Sequence, residues 1–133
     1  MEEWIRWEPV NDLSGKYYLD SWSWPEEGLL IGLSNEKKAK KIQILFAGTI
    51  GSFRYINESF CFKICGNFSE KYGDEFYKNW SFFKIENSEY LKLMSDSSHG
   101  WADRFHFKHF CIVGGDEIID IVVNSDPEVT VKK

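Results

Sequence analysis

The chain has 133 residues, of which 43% are hydrophobic and 17% aromatic, and carries a net charge of −5 at pH 7. That length predicts one domain with one core, and the acidic balance excludes a generic nucleic-acid binder, which needs a basic footprint to neutralise phosphates. Three cysteines, an odd and sparse count, argue against a disulfide framework, and no apolar run approaches the length of a membrane span. The opening Met1-Glu2-Glu3-Trp4-Ile5-Arg6-Trp7 lacks the charged-then-apolar start of a signal peptide, so the expected location is the cytoplasm.

Residues 1–15 read as an irregular or partly extended arm anchored by Trp4 and Trp7, followed by the turn-rich Asn11-Asp12-Leu13-Ser14-Gly15. Lys16 to Trp24 is a first strand. Its alternation slips near Ser21, which predicts a bulge there. Pro25-Glu26-Glu27-Gly28 has turn chemistry. Leu29 to Leu33 is apolar on both faces, as a central strand would be. Lys41 to Gly48 follows, with Ile42, Ile44 and Phe46 on one face, and Ser52 to Asn57 is a fourth strand. Glu58 to Tyr72 is ambiguous. The alternation of Phe60, Phe62 and Ile64 with Cys61, Lys63 and Cys65 favours a strand, and Phe68 to Gly73 reads as loop or one helical turn.

The stretch Trp80 to Met94 organises the rest. Its first half alternates, with Phe83 and Ile85 on the face predicted to be core. Its second half changes period, with Tyr90, Leu91, Leu93 and Met94 at helical spacing. Asn87 or Ser88 is placed to cap the helix, and Glu89 suits the positive end of its dipole. Ser95 to Gly100 reads as a loop. Arg104 to Val113 is a long strand with Phe105, Phe107, His109, Cys111 and Val113 on one face. Gly114-Gly115-Asp116 turns it into the Glu117 to Val123 strand. Glu128 to Val131 is a short edge piece after Pro127. The expected fold is therefore α+β and mainly antiparallel β: a curled or partly closed sheet of about seven or eight short strands, one short helix near residues 88–96, and a single domain spanning 1–133.

Few residues invite chemistry. Cys61 and Cys65 with His109 and Cys111 are the best candidate zinc set, since thiolate and imidazole suit that ion. Neither pair has the common two-residue knuckle spacing, so buried cysteines acting as small hydrophobes are the preferred reading, and no metal or cofactor is expected. No cysteine lies in an activating motif. The carboxylate pairs Glu26-Glu27, Asp74-Glu75 and Asp116-Glu117 all fall in turn-like stretches, which reads as solvated turn charge. Gly114-Gly115 lacks a phosphate-loop context. No enzyme is recognisable in the sequence.

Several segments resemble one group of bacterial immunity proteins, the small single-domain partners encoded beside polymorphic toxins in Gram-positive genomes. They are Trp7-Glu8-Pro9-Val10, Gly28-Leu29-Leu30-Ile31-Gly32-Leu33, Ile42-Gln43-Ile44-Leu45-Phe46, Phe53-Arg54-Tyr55, Trp80 to Leu91, and Ile118-Ile119-Asp120-Ile121-Val122 with Pro127. The likeness spans nearly the whole chain but consists of core and turn pattern. It implies a non-catalytic inhibitor that binds a cognate toxin made by the same cell, and it carries no binding residues over. A basic toxin domain would complement the acidic chain. A β-rich domain enclosing a small apolar ligand, and an enzyme with no sequence signature, are the alternatives.

The expected partner surface combines Trp22, Trp24, Glu26 and Glu27 on one stretch with Asp96, Trp101 and Asp103 on another. Each joins tryptophan anchors to acidic side chains, as an interface for a basic protein would. The opposing expectation is that the tryptophans pack inward and the acids merely solvate loops.

Overall fold

The computed structural model describes residues 2–60, 70–73, 78–100 and 106–132. Among the described residues the main elements are nine strands and an α-helix, β1 (Glu3–Arg6), β2 (Tyr17–Ser23), β3 (Leu29–Asn35), β4 (Lys41–Phe46), β5 (Ile50–Asn57), β6 (Phe82–Glu86), α1 (Glu89–Ser97), β7 (Lys108–Val113), β8 (Glu117–Val123) and β9 (Glu128–Lys132), with a 3-10 turn at Glu58–Phe60 and helical backbone at residues 70–72. They form two antiparallel sheets, one ordered β1-β6-β7-β8-β5 and the other β2-β3-β4-β9. The class is α+β and mainly antiparallel β, as the alternation predicts. The strands do not share one curled sheet, however. Among the described residues they divide into two open sheets, and no barrel closes.

The division follows from where apolar faces can be buried. Leu29, Ile31 and Leu33 of β3 pair with Phe46, Ile44 and Ile42 of β4, giving one continuous apolar face. It meets Phe82, Phe110, Ile112, Ile119 and Ile121 of the other sheet, where Phe46 and Phe110 rings lie 5.9 Å apart. The interior between the sheets is filled with side chains, in the way two packed apolar faces must be. The larger sheet buries its second face too. Phe83 and Ile85 lie there at 0% and 6% exposure, Phe83 under the Trp4 ring at 5.8 Å, as expected for that face.

The arm is more regular than its turn-rich sequence suggests. Residues Glu3–Arg6 pair with β6, from Glu3 opposite Glu86 to Arg6 opposite Phe83, because Trp4 gains the Phe83 surface. Trp7 then lies against Phe82 and Phe110. The β2 bulge falls between Leu19 and Ser21, where the alternation slips. β7 begins only at Lys108, since His106 takes a left-handed φ of 50° that ends extended backbone. Arg104 and Phe105, with the ambiguous Cys61 to Cys65 stretch, lie outside the described residues. Helix α1 runs through Ser97, so Ser95 and Asp96 are helical rather than loop. β9 is an edge strand, as expected, and pairs with β4.

Candidate functional site

Two features stand out above the packed core: a buried polar chain beneath α1, and an exposed aromatic and acidic edge at β2.

The polar chain begins at Ser88, the cap residue of α1. Its Oγ accepts the Leu91 backbone N–H at 3.0 Å, as one of the two cap positions read from sequence should. The Glu2 carboxylate accepts a second first-turn donor, Glu89 N–H, at 2.8 Å. Ser88 Oγ also lies 2.6 Å from His109 Nδ1, and His109 Nε2 lies 2.6 Å from Asp120 Oδ1. A carboxylate only accepts, so Nε2 carries the proton. Nδ1 shares the remaining ring hydrogen bond with the Ser88 hydroxyl. Asp120 Oδ2 receives Arg54 Nε at 3.0 Å and Nη2 at 2.8 Å. The Arg54 guanidinium lies over the Tyr90 ring at 4.0 Å, and Tyr90 hydrogen-bonds Ser52. The chain thus runs from the α1 cap through His109 of β7 and Asp120 of β8 to Arg54 of β5, which returns to α1 at Tyr90.

Burial pushes the Asp120 pKa up, but the hydrogen bond and charge of His109, followed by Arg54, outweigh it and hold the carboxyl below its ordinary value. Cys111 sits opposite Asp120 on the neighbouring strand. Burial first, then the Asp120 charge, drives its thiol well above the ordinary value, which disfavours the Cys111 thiolate.

Serine, histidine and aspartate in a hydrogen-bonded row invite comparison with a hydrolytic triad. The geometry serves a different purpose. Ser88 is 3% exposed and is spent on capping α1. The ring offers Nδ1 to the serine and Nε2 to the acid, the reverse of the hydrolase arrangement. Asp120 also holds a guanidinium. The row works as a clamp that fixes the helix to the sheet.

Two open clefts flank the clamp. One of about 590 Å3 is lined in part by Lys84, Asn87, Ser88, Lys92 and Lys108, and one of about 320 Å3 by Trp4, Arg54, Glu89 and Tyr90 among others. In the larger, Lys108 is already paired with Asp126 at 2.8 Å, which lowers the Asp126 pKa. Among the described residues no three His, Cys, Asp or Glu side chains gather as a metal site. Cys61 and Cys65 lie outside those residues.

The second feature lies on the predicted partner surface. Trp22 is 52% exposed and Trp24 57%, so neither packs inward as a core residue. Glu26 and Glu27 follow in an exposed turn. The Trp22 ring leans on Phe53 of β5 at 5.2 Å, so the free edges of the two sheets meet here. Tyr55, on the same face of β5 as Phe53, is 47% exposed and extends the aromatic strip. Sequence reading missed Tyr55, because alternation alone assigns it to a strand without showing that the strand is an edge. Asp96 is exposed on α1, and no contact among the described residues joins it to the Trp22 edge. Trp101 and Asp103 lie outside the described residues.

Of the carboxylate pairs, Asp74 and Glu75 lie outside the described residues, Glu26 and Glu27 are exposed, and the third divides. Asp116 is exposed, as turn charge should be, but Glu117 is buried at 4% and its Oε1 accepts the Leu19 backbone N–H at 2.7 Å. The expectation of solvated charge fails there, because β2 presents an unpaired donor to that carboxylate. No protein-family model, curated protein or solved structure matches the chain.

Proposed function

We propose that this chain is a non-catalytic binding protein of the immunity type, which neutralises a basic toxin domain by covering it with the β2 edge. The observation that carries the reading is the exposure of Trp22 and Trp24 beside Glu26 and Glu27, two large anchors with an acidic rim on one short stretch. Exposed tryptophans cost hydrophobic free energy in the free protein, and a partner surface recovers it. The carboxylates add long-range attraction for a positively charged partner. The likeness to toxin-associated immunity proteins over nearly the whole sequence supports the same reading. A ligand-enclosing fold is less well supported, because side chains such as Phe46, Phe82 and Phe110 occupy the space between the sheets.

The test is protection. The gene beside the one for this chain is expected to encode a toxin, and its absence overturns the immunity reading; that toxin is expressed with the wild-type chain, with Glu26→Lys/Glu27→Lys, and with Trp22→Ala/Trp24→Ala. The charge variant is expected to associate more slowly at low salt, and the tryptophan variant to dissociate faster. If both variants stay folded and protect cells as well as wild type, the β2 edge is not the binding surface.

A further inference from the structure

Strand β2 is the free edge of its sheet, and its two halves are treated differently. In the first half the outward backbone groups are used. Tyr17 N–H donates to Ser81 Oγ at 3.1 Å, Tyr17 C=O accepts Gly115 N–H at 2.9 Å, and Leu19 N–H donates to Glu117 Oε1. Residues 17 and 19 therefore point their peptide groups away from β3. The bulge between Leu19 and Ser21 sets Ser21 opposite Gly32, Trp22 opposite Ile31 and Ser23 opposite Leu30. Carrying the alternation through that bulge gives Ser21 and Ser23 to the β3 ladder and turns the Trp22 N–H and C=O to the free edge. No acceptor or donor for them is present among the described residues.

Natural edge strands are commonly blunted by lysine, proline or a covering segment. In Tyr17–Ser23 there is no lysine and no proline, and Ser21 to Trp24 are all exposed. The first half of the edge is thus covered by Ser81, Gly115 and Glu117, while among the described residues the second half is left open. We infer that the open half of β2, Ser21 to Trp24, accepts an extended basic segment of the partner as an added antiparallel strand. This inference rests on the binding-protein reading and specifies its mode: backbone pairing supplies affinity, while Trp22, Trp24 and the two glutamates select the segment.

Charge decides between occupants. Pairing β2 with the β2 of a second copy brings Glu26 and Glu27 of both copies into one short stretch, and like charges across strands are unfavourable. A segment carrying lysine or arginine meets the same carboxylates with the opposite sign, and its cations can also rest on the exposed indole faces.

The experiment uses the full chain and the purified toxin domain that the immunity reading expects to be encoded beside it; finding no such toxin overturns that reading. Trp22→Ala removes the ring but keeps the N–H, whereas Trp22→Pro removes both. An edge proline with its missing donor toward solvent leaves the β3 ladder intact. The expected result is that Trp22→Pro binds about tenfold more weakly than Trp22→Ala, the worth of one lost backbone hydrogen bond. Amide exchange on the wild-type complex provides a second readout that needs no variant. The Trp22 amide is expected to gain protection on binding, while the Tyr17 and Leu19 amides, already bonded, stay unchanged. Equal affinities of the two variants together with an unprotected Trp22 amide overturn the strand-addition mode and leave the immunity reading standing. Protection of Trp22 in the chain alone, rising with its own concentration, overturns the choice of occupant in favour of a second copy. A toxin domain that fails to bind the wild-type chain overturns both readings together.

Discussion

Asp120 is a carboxylate at 2% exposure that loses its proton more readily than a free one. Its environment has a sign that can be checked. Because the folded pKa lies below the unfolded value of about 3.9, the unfolded chain takes up the proton first as pH falls. The stabilisation is present in full above the unfolded pKa and disappears as pH drops through the folded one. Asp120→Asn should cost about 1–3 kcal/mol near pH 7, since it removes the charge that holds the partly exposed Arg54 guanidinium and weakens the acceptor of buried His109 Nε2–H. Urea unfolding at pH 7 and at acid pH measures both effects, and the variant should show a flatter acid dependence than wild type. An unchanged acid dependence would assign it to other carboxylates. Phe83→Ala, at a fully buried ring, should cost about 3–5 kcal/mol in the same assay. The Phe83 result was legible from sequence, because period-two alternation places it on a face with Ile85. The Asp120 cluster was not. Arg54 lies 66 positions from Asp120, and only the register between β5 and β8 brings them together.

Helix α1 has no fully buried residue, and Leu93 is 60% exposed, so apolar packing contributes less to its position than a core helix would require. Its attachment depends on the cap and clamp. Ser88→Ala removes the oxygen that accepts Leu91 N–H and the hydroxyl that meets His109, so the loss should exceed the roughly 1 kcal/mol of an ordinary cap. Amide exchange should quicken along α1 while the β7 and β8 amides keep their protection. Equal loosening of helix and sheet would show that α1 is not a separate unit. The helix and its cap were readable because capping is local: the serine and the change of period stand side by side in the sequence. The strands from β2 onward were largely readable for the same reason. β1 was not, because four residues show little alternation and its stability comes from the distant Phe83.

At the scale of the whole molecule, local pattern predicts the count and type of elements well but not their grouping. The same strands could serve one curled sheet or two flat ones, and the choice depends on long-range pairings such as Val129 with Ile44. Those pairings also govern how the chain reaches its structure. In the larger sheet β1 and β5 occupy the two edges, and each is hydrogen-bonded to strands that come much later in the chain, β6 and β8. In the smaller sheet β2, β3 and β4 form a local meander, yet its outer member β9 comes last. A chain with so many non-local contacts should refold on the order of milliseconds to seconds rather than microseconds, which stopped-flow tryptophan fluorescence can follow. During synthesis the consequence is sharper. A nascent chain halted before Lys108 completes neither sheet, because one lacks β7 and β8 and the other lacks β9. β1 can already pair with β6, but β5 and the second edge of β6 must wait, unpaired and exposed to aggregation, until the final quarter of the polypeptide leaves the ribosome.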